Sequence, residues 1–153
     1  MPVPPHRDPA TALALNTFVK LRRAVNSLGA QLNPALQRGG GLTESQFGVL
    51  EALWHRGPMP QVRLCEKLLV SGSNLTTVID NLERRGLVRR GPNPDDRRAY
   101  LVRLSGKGEA LVARVFPGHA ERIGGCLGSL TSREQRELGR LCRKLGLAVQ
   151  VRS

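Results

Sequence analysis

Between Pro60 and Leu104 the spacing of apolar residues changes once, from helical steps to strict alternation, and few folds accommodate that order. Residues Pro60 to Leu69 predict a short helix with Leu64 and Leu68 inward, and Val70-Ser71-Gly72-Ser73 follows as a tight turn with a glycine and hydroxyl caps. A second helix runs to Arg85. Its core face is Leu75, Val78, Ile79 and Leu82, at i, i+3, i+4 and i+7, and Gly86 is placed to close it in the left-handed conformation. Leu87-Val88 then enters a strand, Pro92-Asn93-Pro94-Asp95-Asp96 turns the chain, and Tyr100, Val102 and Leu104 alternate on the return. Two short helices joined by a tight turn and followed by a hairpin make a helix-turn-helix carrying a wing.

The flanks are helical. From Ala10 to about Leu32 the residues Leu15, Phe18, Leu21, Val25, Leu28 and Leu32 recur at helical spacing, and Arg38-Gly39-Gly40-Gly41 breaks the run. Thr43-Glu44-Ser45-Gln46 has the form of a capping box and opens a helix with Phe47, Leu50, Leu53 and Trp54 on its apolar face; Gly57-Pro58 ends it, and Pro60 can open the next. From Ser105 the chain returns to helix through Val112, Val115, Phe116, His119, Ile123 and Leu127, with a kink or break expected at Pro117. Thr131-Ser132-Arg133-Glu134 is a second capping box ahead of a stripe of Leu138, Leu141, Leu145 and Ala148. The expected class is mainly α with a small β-hairpin wing, in one domain spanning 1–153 with a winged lobe over 43–104.

Charge narrows the partner. The 24 Lys and Arg against 12 Asp and Glu give +12, and a symmetric dimer would carry twice that, +24. Such a chain attracts phosphate through counterion release, whatever the sequence of the polyanion. The densest positive charge, Arg89, Arg90, Arg97, Arg98 and Arg103, falls in the hairpin. Three widely spaced cysteines, Cys65, Cys126 and Cys142, do not form a secreted disulfide framework and point to a reducing cytoplasm. The Pro-rich leader Met1 to Pro9 has no apolar signal core, and no run of about 18 apolar residues suggests a membrane span. His6, His55 and His119 are scattered, with no C-x-x-C, H-E-x-x-H or Gly-rich phosphate loop, so no metal and no cofactor is expected.

Ile79-Asp80-Asn81-Leu82-Glu83-Arg84-Arg85-Gly86-Leu87-Val88, Pro94-Asp95-Asp96-Arg97-Arg98 and Leu104-Ser105-Gly106-Lys107-Gly108 together resemble the MarR family of transcription regulators. Leu68 to Ser73 and Phe116-Pro117-Gly118-His119-Ala120 are similar to the branch with repressors that respond to hydroquinones and catechols. The resemblance implies a triangular homodimer in which helices 10–32 and 105–149 interlock, leaving two winged lobes to read a pseudopalindromic operator in double-stranded DNA. Three amphipathic helices outside a lobe of about 60 residues need such a partner surface.

Ser73, Asn74, Thr76, Thr77 and Asn81 lie opposite the apolar stripe of the second helix, as candidates for base or phosphate contact in a major groove; a merely solvated face is the alternative. Arg97 and Arg98 match the family's D-R-R motif, in which an arginine enters the minor groove, and Asp96 would orient the turn, pairing with Arg98. Asp80 is expected to partner a nearby arginine. Cys65 reads as a small buried residue with a lesser claim as a redox thiol, and the peroxide-sensing branch keeps its thiol in the first helix, where this chain has none. His119 reads as a satisfied packing residue, and Cys126 and Cys142 as core. The resemblance places an effector pocket for a small aromatic molecule between lobe and dimerisation helices, bounded by Phe18, Val25, Phe47 and Trp54.

The expected function is a DNA-binding regulator, a repressor relieved by a phenol- or quinone-like effector or by thiol modification. The competing reading is a general basic nucleic-acid-binding or nucleoid-structuring protein without an effector. With five aromatics, and Tyr100 and Trp54 expected in the core, the chain has no stacking platform for single strands. No nucleophile motif with a base partner can be assembled, so no enzyme is expected.

Overall fold

The computed structural model describes residues 8–68 and 72–151, and the side chains in that range except those of residues 72, 73 and 151. The order is α1 (Pro9–Gly40), α2 (Glu44–Arg56), β1 (Met59–Pro60), α3 (Gln61–Leu68), α4 (Gly72–Arg84), β2 (Val88–Asn93), β3 (Asp96–Leu104), α5 (Gly106–Leu127) and α6 (Ser132–Val151). Val70 and Ser71 of the expected turn lie outside the described residues. The sheet is antiparallel in the order β1-β3-β2.

Helix α1 overruns its expected end at Leu32, continuing through Pro34, Gly39 and Gly40 to Gly41, whose left-handed φ of 61° closes it. Each helical glycine costs about 1 kcal/mol against alanine. Packing outweighs that cost: Ala35 and Leu36 are buried, and a Cβ on Gly40 would lie 3.2 Å from Leu42, Leu111 and Val115 side-chain atoms, so α1 approaches the lobe and α5 closely there. The Thr43 capping box forms as the sequence predicts, and so does that of Thr131 and Glu134, their reciprocal bonds spanning 2.9 and 3.2 Å. Pro60 does not open α3. It ends the two-residue strand β1, paired with Leu101, where a residue without an amide donor suits a sheet edge.

Helix α4 ends in a Schellman motif. Gly86, with φ of 72°, donates to Glu83 O and Leu87 to Leu82 O, both at 2.9 Å. Leu50, Leu64, Leu75, Ile79, Leu82 and Val102 form the sealed centre of the lobe. Ser105 caps α5, accepting from Gly108 N and donating to Gly86 O. A Cβ on Gly108 would sit 2.0 Å from the Leu87 carbonyl, so only glycine lets α5 start against the strand entry. Helix α5 runs through Pro117 without the break allowed for, since Val115 and His119 on either side are both buried.

Tyr100 corrects a core assignment: it is 66% exposed while Val102, two residues on, is fully buried. Strand β1 pairs only as far as Leu101, and beyond it the hairpin is two-stranded and projects from the lobe. The outer helices also keep apolar residues in the open, among them Leu13, Phe18 and Val25 on α1 and Leu138, Leu141 and Leu145 on α6. Among the described residues, no helix is long and apolar enough to cross a membrane.

Candidate nucleic-acid interface

Helix α4 turns about 100° per residue, so with Leu75, Ile79 and Leu82 in the core its outward ridge carries Thr77, Asp80 and Arg84. The polar candidates separate accordingly. Asn74, Thr76 and Thr77 are exposed, whereas Asn81 is half-buried, its Oδ1 accepting from Gln46 Nε2 at 3.0 Å and tying α4 to the capping box of α2. Thr76 Oγ1 accepts from Gln61 Nε2 at 2.7 Å, bracing α4 against α3. Ser73 belongs to the first turn of α4, and its side chain lies outside the described residues. Arg84 is also exposed on the outward ridge, seven residues after Thr77, with its Nε donating to Asp80 O at 3.5 Å.

The wing is fastened to this helix. Arg90 on β2 reaches Asp80 Oδ1 at 2.6 Å and Glu83 Oε1 at 3.1 Å, and its amide donates to Glu83 Oε2 at 3.0 Å. Asp80 therefore has the arginine partner expected of it. Partly exposed pairs of this kind contribute only about 0.2–1 kcal/mol each, so their consequence is geometric: hairpin and helix are held as one body. Arg97 and Arg98 stand exposed at the start of β3. Asp96 does not reach the Arg98 guanidinium; its Oδ1 accepts from the Arg98 backbone amide at 2.9 Å, shaping the turn and leaving the cation available. Asn93 does the same for the amide of Asp95 at 3.0 Å.

A second joint, invisible in the local sequence, connects α4 to α1. The Arg85 guanidinium donates to Gly41 O at 2.8 Å and Gly40 O at 3.0 Å, and Arg114 of α5 donates to Gly39 O at 3.3 Å. Two cations thus satisfy carbonyls at the negative end of the long helix.

A groove of about 650 Å³ opens between α2, α4 and α5, bordered by Glu44, Phe47, Glu51, Asn74, Thr77 and His119. His119 is 8% exposed and stands edge-on to Phe47, with ring centroids 4.5 Å apart. Its Nδ1 has no hydrogen-bond partner among the described residues, which corrects the expectation of a satisfied packing histidine. Burial pushes its pKa below the ordinary 6.5, against the opposing pull of Glu51 and Glu44 and with the help of Arg122.

The four expected effector residues do not share this groove. Phe47 lines it, Val25 borders a separate cleft beside α1, and Trp54 packs on Phe116 with centroids 5.4 Å apart. Phe18 is exposed beneath the Arg22 guanidinium. Apolar spacing identified each face without saying what would meet it. Cys65 is half-buried against the core, and Cys126 half-buried; Cys142 is exposed, which corrects its expected place in a core, since the α6 face that carries it is uncovered in the single chain, and all three are free thiols. Among the described residues there is no cluster of three or more metal-ligating side chains.

Residues 42–100 match the model of the MarR family. The chain is 31% identical over 137 residues to the HTH-type transcriptional regulator MhqR of Bacillus subtilis, covering 90% of this chain and 94% of the relative. Sco3205, a MarR family transcriptional regulator from Streptomyces coelicolor solved in complex with DNA, superposes with a TM-score of 0.81 at 25% identity, over 98% of this chain and 94% of that one. BpsR of Bordetella bronchiseptica, in a structure concerned with regulation of its DNA binding by 6-hydroxynicotinic acid, gives 0.75 at 29% identity, over 85% and 98%. A winged lobe joined to its flanking helices by these contacts, and matched along nearly its whole length, makes the chain a member of the MarR family of DNA-binding transcriptional regulators, not an enzyme.

Proposed function

We propose that this regulator is a homodimeric cytoplasmic repressor occupying a pseudopalindromic operator, with the exposed ridge of α4 in the major groove and the wing arginines in the flanking minor groove. The observation that carries the reading is the Arg90 bridge to Asp80 and Glu83, because it fixes the distance between two DNA-facing elements that would otherwise move separately. Within α4 the base-reading role falls to the exposed Asn74, Thr76 and Thr77, with Ser73 ahead of them, while the half-buried Asn81 ties the helix to Gln46. A small aromatic effector relieves repression. The groove under Asn74 and Thr77 supports this, as does a structural neighbour whose DNA binding is regulated by 6-hydroxynicotinic acid. Relief by modification of Cys65 has less support, since that thiol packs against the core.

The test is selection of fragments from a random duplex pool at two salt concentrations, followed by Arg98→Ala on the selected site. One pseudopalindrome should dominate at both salts, and Arg98→Ala should flatten the dependence of log affinity on log salt by about one unit. Equal affinity for random duplex would make the chain a general nucleic-acid binder, and an unchanged slope would remove the wing from the interface.

A further inference from the structure

The α2–α4–α5 groove has a floor suited to a flat ring, made of Phe47, Leu68, Leu75, Val78 and the His119 imidazole. Its polar border is one-sided. Glu44 and Glu51 supply two carboxylates, Ser45, Asn74 and Thr77 supply uncharged groups, and no lysine or arginine lines it among the described residues. This is unexpected in a chain of net charge +12. The imidazole adds no cation, because burial favours its neutral form.

A neighbouring groove makes the contrast local. It shares Gly48, Glu51 and Leu68 with the first and adds Glu66, but it is also bordered by Arg56, Arg63, Lys67 and Arg143. An aromatic acid meets four cations against two carboxylates there and two carboxylates without a lining lysine or arginine here. Entry of an anion into the first groove would cost both desolvation and repulsion from two like charges, and Arg122, whose charge is felt at His119, does not itself line the groove. A hydroxyl or ammonium on the same ring could instead donate to Glu44 or Glu51 through a charge-assisted hydrogen bond.

We propose that this groove takes an aromatic hydrogen-bond donor bearing no negative charge and excludes aromatic carboxylates. The inference rests on the effector reading above and adds the charge of the effector to it. The volume of about 650 Å³ accommodates a one- or two-ring molecule, within the common range for small-ligand sites. Because Asn74 and Thr77 border the groove from α4 itself, an occupant touches the DNA-reading helix directly. Occupancy and operator binding are then linked without a relay across the molecule.

Calorimetry on the full chain with three matched probes, 2-naphthylmethanol, 2-naphthylmethylamine and 2-naphthoate, tests the assignment. The alcohol and the amine should bind and the carboxylate should bind at least about tenfold more weakly. In the Glu44→Gln/Glu51→Gln variant the carboxylate should approach the alcohol to within about twofold. Glu51→Gln alone, which leaves the first turn of α2 intact, should close part of the gap, and a thermal melt confirms folding of both variants. Tight naphthoate binding that survives Arg56→Gln/Arg143→Gln would overturn the proposal, whereas tight binding lost in that variant places the anion in the neighbouring groove and agrees with it. Failure of all three probes to bind would overturn the effector site itself, a result distinct from binding in the wrong charge order.

Discussion

Inside the lobe, Leu50, Leu64, Leu75, Ile79 and Leu82 have at most 1% of their surface exposed, whereas Leu138, Leu141 and Leu145 on α6 leave 42, 46 and 51% in the open. The two regions have similar helical spacing of apolar residues, and only one of them has closed a core. The lobe therefore carries its stability within one chain. Among the described residues, nothing covers the apolar stripe of the outer helices, the state expected of surfaces completed by a second copy.

The contrast can be broken first at its stable end. Leu50→Ala should lower the unfolding free energy by about 2–5 kcal/mol, the usual cost of emptying a sealed leucine site, read by urea denaturation. Leu145→Ala, measured at concentrations too low for association, should change it by about 0.5 kcal/mol or less. Equal losses at both positions would mean that α6 is already packed within the single chain.

The next test falls on the uncovered stripe. Leu141→Asp/Leu145→Asp should convert a dimer into monomers in sedimentation equilibrium while leaving the denaturation of the lobe nearly unchanged. Operator affinity should fall by about a hundredfold or more, since the second half-site no longer benefits from the effective concentration that linkage supplies. A variant that remains dimeric would show that another surface joins the subunits.

Legibility in the sequence divides along a related line, between what neighbours in the chain decide and what distant residues decide. The capping boxes at Thr43 and Thr131 and the closing turn at Gly86 were readable because their partners lie within three to five residues. The true end of α1 was not, because the contacts that hold Gly39 to Gly41 in place come from Arg85 and Arg114, up to 75 residues away. Asn81 was read as a DNA-facing group from its position on the polar face, yet its Gln46 partner lies 35 residues back. For Tyr100 the alternation was correct and the depth was not, since alternation says which way a strand residue points but not whether anything lies there. The four residues expected around an effector divide in the same way: Phe47 borders the α2–α4–α5 groove, and Phe18, Val25 and Trp54 belong to other surfaces.

The smallest effect lies on the seam between the two regions, where His119 of α5 packs against Phe47 of α2. Burial holds its pKa below 6.5 in the folded chain, so the unfolded chain binds the extra proton as the pH falls through that value. The contribution to stability is fully present above pH 6.5 and is lost progressively below it, until the folded chain also takes up the proton. The carboxyls of Asp8, Glu134 and Glu137 are held below their ordinary values by hydrogen bonds, chiefly from Thr11, Thr131 and Arg140, and act in the same direction. Their ordinary values are 3.8 and 4.5, so their losses fall in a more acidic window. Between pH 7.5 and 5.5 the denaturation midpoint of the natural chain should therefore decline, and His119→Gln should flatten that decline whatever it does to stability at pH 7.5. Parallel pH profiles for the two proteins would show that the ring is as free to protonate in the fold as out of it, and would take the seam between lobe and outer helices out of the pH response.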